Sequence, residues 1–145
     1  MIFFSSALEL GINNIIIMNN LIVDATEDKI FLTIIVSENI YTRSYENSKI
    51  NFEKLMILIN EFLKNNKCSL DAVSAIYVNR GPGSFAGIRN SLSTIKALFL
   101  TKKIDYYCFS FGDFKESRTT EYAEVPQLCK KYKIKKNLIN PIYLS

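Results

Sequence analysis

The chain has 145 residues, of which 48% are apolar and 22% are charged, and its formal net charge is +4. A chain of this size and composition is typical of one soluble globular domain, whose core needs neither a disulfide nor a structural metal. The sequence contains no histidine, which excludes Ser-His-Asp and Cys-His nucleophilic sites, histidine-ligated zinc and a histidine general base.

The cysteines and the N-terminal residues indicate the cellular compartment in which the protein is expected. The three cysteines are widely spaced and form no C-x-x-C pair, which is typical of reduced thiols in a reducing compartment. Residues 1–18 contain Glu9 but no lysine or arginine, unlike a secretory signal, and their apolar runs are too short to span a bilayer. We expect a cytoplasmic protein with no membrane attachment. Residues 1–18 are expected to be a dispensable extension, since Met18 is an alternative start.

The predicted elements begin with an antiparallel meander, because the links between its strands are short and polar. β-branched and aromatic runs predict these strands at 21–23, 30–36 and 40–45. Helix and strand patterns then alternate: a helix over 51–66 with Asn51 as N-cap, a strand over 70–78, a helix over 84–101 and a strand over 104–110. Pro126 marks the start of a short helix that runs to Lys131.

This order predicts an α/β layered domain, because a helix between neighbouring strands makes a right-handed parallel crossover. Three antiparallel strands that lead into parallel strands match the ribonuclease H-like half of the actin-like ATPase fold. We therefore assign residues 19–110 to one actin-like lobe and residues 111–145 to a short basic C-terminal tail.

A glycine-rich loop joins the strand over 70–78 to the next helix. Gly81 and Gly83 flank Pro82, which predicts a rigid turn, and Ser84 is placed to cap the helix. The pattern is neither a P-loop nor G-x-S-x-G, and no histidine is present to activate Ser84. The loop is either a tight, capped turn or an anion site formed by exposed N–H groups.

The helix over 84–101 has two distinct faces. Large apolar residues form the face expected to pack on the sheet: Phe85, Ile88, Leu92, Ile95 and Phe99. A second row, composed mostly of small residues, comprises Gly87, Ser91, Thr94 and Leu98. This row either accommodates the first helix of the same domain or lies at a protein–protein interface.

The stretch Gly81-Pro82-Gly83-Ser84-Phe85-Ala86-Gly87-Ile88-Arg89 resembles the G-P-G-S-F-T-G-[VL]-R signature of the TsaB family. TsaB is the actin-like subunit in bacterial synthesis of threonylcarbamoyladenosine on tRNA. Residues 21–26 resemble the family's opening strand with its I-D-T/A-[ST] element, and residues 140–144 its terminal P-x-Y-L-R, with Ser145 in place of arginine. The chain departs from the family pattern at three places. Ala86 replaces the usual threonine, Ser91 stands where a glycine is common, and residues 48–50 lack the histidine that the family usually has there.

The resemblance implies a non-catalytic scaffold that holds no cofactor or metal and pairs with the catalytic paralogue TsaD through two helices. The pair would recruit the ATPase TsaE, tRNA contact would be indirect or weak, and the chain alone would form a homodimer. The partner interface implied here comprises Gly87, Ser91, Thr94, Leu98, Ile57 and Leu58. The glycine-loop motif comprises Gly81, Pro82, Gly83, Ser84, Phe85, Gly87 and Arg89.

One alternative function stays open beside the scaffold. Only about 35 residues follow Ser110, so the resemblance implies that the second lobe is largely missing and that no cleft closes around ATP. Asp24 matches a position that helps hold metal-nucleotide in active actin-like ATPases, and it is either a vestigial nucleotide site or a solvated carboxylate. With an active Asp24 and glycine loop, the alternative function is a minimal actin-like nucleotide-binding phosphotransferase.

The C-terminal segment is basic. Residues 115–136 carry seven basic and three acidic side chains. The lysines of interest are Lys130, Lys131, Lys133, Lys135 and Lys136, which either touch tRNA phosphates or form a solvated face.

Overall fold

One mixed sheet organises the computed structural model, which describes residues 18–143. Its five strands lie in the order β3-β2-β1-β4-β5, with an antiparallel β1–β2–β3 meander and with β4 and β5 parallel to β1. The strands are β1 (Asn19–Asp24), β2 (Lys29–Val36), β3 (Asn39–Glu46), β4 (Ala75–Asn79) and β5 (Asp105–Phe109). The predicted α/β class and meander are confirmed. Of the extension predicted over residues 1–18, residues 1–17 lie outside the described residues.

Four α-helices accompany the sheet in the described part of the chain. They are α1 (Lys49–Glu53), α2 (Leu55–Asn65), α3 (Phe85–Lys102) and α4 (Val125–Lys131). Among residues 18–143, no helix combines the length and the apolar character that crossing a bilayer requires.

The prediction of a single helix over 51–66 is wrong. The segment forms two helices that meet at Lys54, whose φ of −103° and ψ of 13° interrupt the regular backbone. The N-cap is Ser48 and not Asn51, because the Ser48 hydroxyl accepts a hydrogen bond of 3.2 Å from the Asn51 N–H. The Asn51 side chain instead donates to the Glu46 carbonyl oxygen at 2.7 Å, so it ties α1 back to the end of β3.

The strand predicted over 70–78 is shorter than expected. Leu70–Ala72 is a single 3-10 turn, closed by a hydrogen bond of 3.1 Å from the Val73 N–H to the Leu70 carbonyl. Regular pairing with β1 begins only at Ala75, which lies opposite Asn20. Every residue of β4 is buried, and this confirms the prediction of a strand covered on both faces.

The two faces of the sheet carry different layers. Residues of α2 and α3 pack with β1, β2 and β4 in the larger core. The second face is covered by the C-terminal segment, whose buried residues Phe114, Val125 and Leu128 pack against Ile22 and Phe109. Residues 111–143 are therefore not a free tail, because they supply one layer of the same fold.

The C-terminal segment also covers the outer edge of β5. The Asn137 N–H donates to the Tyr106 carbonyl at 2.7 Å, and the Asn137 side-chain oxygen accepts from the Tyr106 N–H at 2.9 Å. Further on, the Ile142 N–H donates to the Arg80 carbonyl at 2.7 Å. The chain thus returns to the glycine loop at its C-terminal end.

Candidate functional site

A cavity of about 220 Å³ lies at the carboxyl ends of the parallel strands. Asp24 ends β1, Asn79 ends β4, and Ser110 directly follows β5; all three line this cavity. The carboxyl ends of parallel strands are where open α/β sheets bind their ligands. We call this space the strand-end cavity.

Asp24 and Glu27 are the acidic residues that line the strand-end cavity; Glu27 is exposed, whereas Asp24 is only 5% exposed. The Asp24 carboxylate accepts hydrogen bonds from the Thr26 N–H at 3.0 Å, the Thr26 hydroxyl at 2.7 Å and the Asn79 amide at 3.0 Å. Its fourth donor is the Tyr122 hydroxyl at 2.6 Å. The solvated-carboxylate interpretation is therefore wrong, since these donors replace water around a buried charge.

Tyr122 is a site residue that the sequence patterns missed. Burial, the negative charge of Asp24 and the hydrogen bond to Asp24 together raise the pKa of the Tyr122 hydroxyl far above its ordinary value. The hydroxyl therefore stays protonated and donates to the carboxylate at neutral pH. The two residues are 98 positions apart, and no spacing rule joins a tyrosine in a 3-10 turn to a strand end.

The glycine loop packs closely on neighbouring backbone. Gly81 has a φ of +113°, and a Cβ there would overlap the Ile142 carbonyl oxygen. A Cβ on Gly83 would overlap the Thr26 carbonyl oxygen, which accepts a hydrogen bond of 2.7 Å from the Ser84 N–H. Glycine is therefore required at both positions for close approach of the backbone.

Three amide groups at the loop, those of Gly81, Ser84 and Gly87, donate hydrogen bonds inside the chain. The Ser84 hydroxyl accepts from the Gly87 N–H at 3.2 Å, which confirms Ser84 as the N-cap of α3. The Gly81 N–H donates to the Asn79 side-chain oxygen at 3.0 Å. This geometry supports the capped-turn interpretation over an anion site, because these donors already have partners. Pro82 is exposed at the tip of the turn.

The predicted small-residue row lies inside the domain, and this corrects most of the predicted partner interface. A Cβ on Gly87 would overlap the Ala25 carbonyl oxygen, Ser91 is fully buried, and Leu98 is 2% exposed. The reason is that α3 packs on β1 and also beside α1 and α2. The buried part of its surface therefore includes the side that faces these two helices as well as the side that faces the sheet. Leu58 is buried and Thr94 half-buried, whereas Ile57 is exposed.

The solvent-facing side of the helix layer carries a different set of residues. Three large aliphatic side chains, one on each helix, are more than half exposed: Ile50 at 62%, Ile57 at 53% and Leu100 at 60%. The small residues Ala86, Ser93 and Ala97 of α3 are also exposed. We call these six residues the helix surface. On α3, each of these exposed small residues lies one position before a member of the predicted row.

The two arginines near the loop have different surroundings. Arg80 donates to both oxygens of the Asp113 carboxylate, at 2.6 Å and 3.3 Å, and to the Asn140 carbonyl at 3.1 Å. Arg89 is exposed and borders a hollow of about 210 Å³ together with Tyr143. Phe85, predicted to pack on the sheet, is instead 57% exposed. Its ring contacts the Tyr143 ring, with 4.7 Å between the two ring centroids.

Some lysines of the C-terminal segment form ion pairs with acidic side chains, and others border a cleft. Lys131 forms an ion pair with Glu116 at 2.9 Å, and Lys136 lies 3.6 Å from Asp105. Lys133 and Lys135 border a cleft of about 410 Å³. Lys130 is exposed on α4.

Known proteins resemble the chain in sequence. Residues 45–110 match the family model described as TsaD: tRNA N6-adenosine threonylcarbamoyltransferase. The chain is 34% identical over 65 residues to the tRNA threonylcarbamoyladenosine biosynthesis protein TsaB of Buchnera aphidicola subsp. Baizongia pistaciae, covering 39% of this chain and 29% of that protein. It is 29% identical over 90 residues to the protein of the same name from Buchnera aphidicola subsp. Schizaphis graminum, covering 62% of this chain and 43% of that protein.

The fold has solved counterparts. YeaZ from Pseudomonas aeruginosa superposes with a TM-score of 0.59 and 19% identity, covering 64% of this chain and 44% of that chain. This likeness shows the actin-like, ribonuclease H-like fold. The chain spans less than half the length of the curated relatives it matches. The sequence matches, the fold and the glycine-loop signature agree, and the predicted resemblance to the TsaB family is confirmed.

Proposed function

We propose that the chain is a non-catalytic subunit in the formation of threonylcarbamoyladenosine on tRNA and that it binds a TsaD-like catalytic subunit through the helix surface. The names of the curated relatives and of the matching family model support the modification. The pair then recruits a TsaE-like ATPase.

The helix surface is the observation that carries this proposal. Ile50, Ile57 and Leu100 expose more than half of their side chains on neighbouring helices of one layer. Ala97, in the turn before Leu100, leaves room for another helix to approach α3. Large aliphatic groups exposed on the outer side of one helix layer are typical of a protein–protein interface.

The region of sequence similarity agrees with this surface. The match to the TsaD family model covers residues 45–110, and all three helices of the layer lie within that range. Two related lobes can therefore meet through equivalent faces, as in an isologous pair. Two copies of the chain would pair through this same face when the partner is absent.

Two observations favour a non-catalytic role for the chain. The sequence contains no histidine to act as a general base or to activate a nucleophile. The Asp24 carboxylate is buried and accepts four hydrogen bonds from its own chain. Its oxygens are thus directed at protein donors.

Co-purification with the TsaD-like protein of the same organism tests the proposal. We expect a 1:1 complex by light scattering, and we expect Ile57→Asp and Leu100→Asp to weaken it at least about tenfold, because each places a charge in an apolar contact. Leu138→Asp is the matched control, since Leu138 is 44% exposed in the C-terminal layer. Unchanged affinity in both helix variants, or no complex with the wild type, contradicts the proposal.

A second candidate is a minimal nucleotide-binding phosphotransferase, which the position of the strand-end cavity favours. Its volume of about 220 Å³ is below the range of about 300–1,000 Å³ typical of small-molecule sites. Calorimetry with ATP and magnesium distinguishes the two candidates. A dissociation constant below about 100 μM, near −5.5 kcal/mol, supports the phosphotransferase, and the absence of binding heat supports the subunit.

A further inference from the structure

We infer that a cleft between α4 and the carboxyl end of β5 binds the phosphodiester backbone of RNA. Its volume is about 410 Å³. Three lysines border it, Lys115, Lys133 and Lys135, and its floor is formed by Arg80 and Asp113. We call it the lysine cleft.

The floor of the lysine cleft is held by hydrogen bonds, and the charges of Arg80 and Asp113 cancel there. Arg80 donates to both carboxylate oxygens of Asp113, and the two side chains are only 16% and 20% exposed. Asp113 also accepts from the Ser110 N–H at 2.8 Å, while Arg80 donates to the Asn140 carbonyl at 3.1 Å. The cleft therefore has a preorganised base, and its net charge comes from the three lysines.

Ion pairing elsewhere concentrates the positive charge in this cleft. Three other basic groups of the segment have acidic partners: Arg118 with Glu124, Lys131 with Glu116, and Lys136 with Asp105. Lys130 is exposed on α4 and does not border the cleft. Within residues 18–143, no acidic oxygen lies within 4.0 Å of the amino groups of the three cleft lysines.

Charges of one sign that converge on a concave surface produce a stronger local potential than the same charges spread over a convex face. This arrangement differs from an evenly solvated lysine face. It predicts attraction of a polyanion to one place on the surface.

Lysine chemistry identifies the ligand class. A lysine ammonium is a mobile point charge that neutralises phosphate oxygens but lacks the planar fork that arginine uses for bidentate contacts with guanine. The cleft therefore suits sequence-independent contact with a sugar–phosphate backbone. The choice of RNA rests on the proposed function, in which the substrate is a tRNA. Free pyrophosphate offers the same oxygens, and the experiment separates the two sources.

The test uses the full chain and fluorescently labelled, unmodified tRNA, with fluorescence anisotropy measured at several salt concentrations. We expect Lys115→Gln/Lys133→Gln/Lys135→Gln to lower affinity at least about tenfold and to reduce the slope of log K against log salt by about 2, since each lost phosphate contact contributes about 0.7–0.9. The matched control is Lys29→Gln/Lys49→Gln/Lys64→Gln, which removes the same charge from exposed lysines of β2, α1 and α2. Circular dichroism checks that both variants are folded.

Three outcomes overturn the inference: unchanged affinity and slope in the cleft variant, an equal loss in the control variant, or complete displacement of tRNA by millimolar pyrophosphate. Binding of the TsaD-like protein by the cleft variant keeps this test separate from the proposed function. If the partner still binds while tRNA affinity is unchanged, only the lysine cleft is wrong. If the wild type binds no partner, the proposed function fails whatever the tRNA result.

Discussion

The Tyr122 hydroxyl donates a hydrogen bond of 2.6 Å to the Asp24 carboxylate across 98 residues of sequence. This contact joins the C-terminal layer to the end of the central strand β1. It also directs one carboxylate oxygen at a protein donor inside the strand-end cavity. Residues 111–143 therefore contribute to the candidate site as well as to the second core.

Tyr122→Phe should lower the free energy of unfolding by about 1–2 kcal/mol, because a hydrogen bond to a charged group is lost. Asp24→Ala should cost more, about 3 kcal/mol, because it leaves the buried donors of Thr26, Asn79 and Tyr122 without an acceptor. Urea denaturation measures both changes.

Tyr41→Phe is the control for the Tyr122 variant, because Tyr41 lies on the edge strand β3 and is 43% exposed. It should change stability by less than about 0.5 kcal/mol. If the variants of Tyr122 and Tyr41 are equally stable, Tyr122 does not stabilise the fold through Asp24.

Gly87→Ala should destabilise the protein by about 1–3 kcal/mol through overpacking, despite the better helix propensity of alanine. The new Cβ would overlap the Ala25 carbonyl oxygen of rigid backbone next to β1. Gly112→Ala is a matched control, because a Cβ there meets only the Ser110 hydroxyl at 3.6 Å. Thermal melts that place both variants at the same midpoint would contradict the close packing of α3.

The local parts of the fold could be predicted from the sequence. The strand-to-helix turn, the Ser84 cap and the burial of β4 follow from residue types and periodicity over a few positions. The meander follows in the same way, because its links are too short for any other connection.

The burial of α3 could not be predicted in the same way. Periodicity identifies an apolar arc but does not say how many neighbours share it, and α3 packs on the sheet and beside two helices. The second contact buries Ser91 and Leu98, while Phe85 at the helix start is left exposed.

The N-cap of α1 and the role of Tyr122 could not be predicted from local sequence, for related reasons. Ser48 and Asn51 are both good capping residues, and the choice between them depends on the Glu46 carbonyl that Asn51 reaches. Tyr122 meets Asp24 only after the C-terminal layer folds over the sheet. Both contacts depend on tertiary structure.

Arg80→Met should destabilise the protein by about 2 kcal/mol, because it leaves the mostly buried Asp113 carboxylate without its ion-pair partner. The double variant Arg80→Met/Asp113→Asn should lose less than the sum of the two single variants, since the uncompensated charge is then absent. Urea denaturation of the four proteins gives the coupling energy. A value near zero would show that the pair contributes nothing to stability.

Alkaline pH should destabilise the fold through the buried thiol of Cys129. Burial, with a smaller effect from the negative charge of Asp113, raises the pKa of this thiol from 9.0 to about 12. A raised folded-state pKa means that the stabilising effect is complete below the unfolded value and is lost as pH rises from 9 towards 12. Between pH 8 and pH 10 the loss should be about 1 kcal/mol.

Cys129→Ala isolates this contribution, because tyrosines and lysines titrate equally in both proteins. The wild type should lose about 1 kcal/mol more than the variant when the free energy of unfolding is compared at pH 8 and pH 10. Cys108 has its pKa raised to about 11 by burial, and Cys108→Ala should show a similar difference over the same interval. Equal losses in the wild type and both variants would mean that these thiols ionise as readily in the folded chain as in the unfolded one.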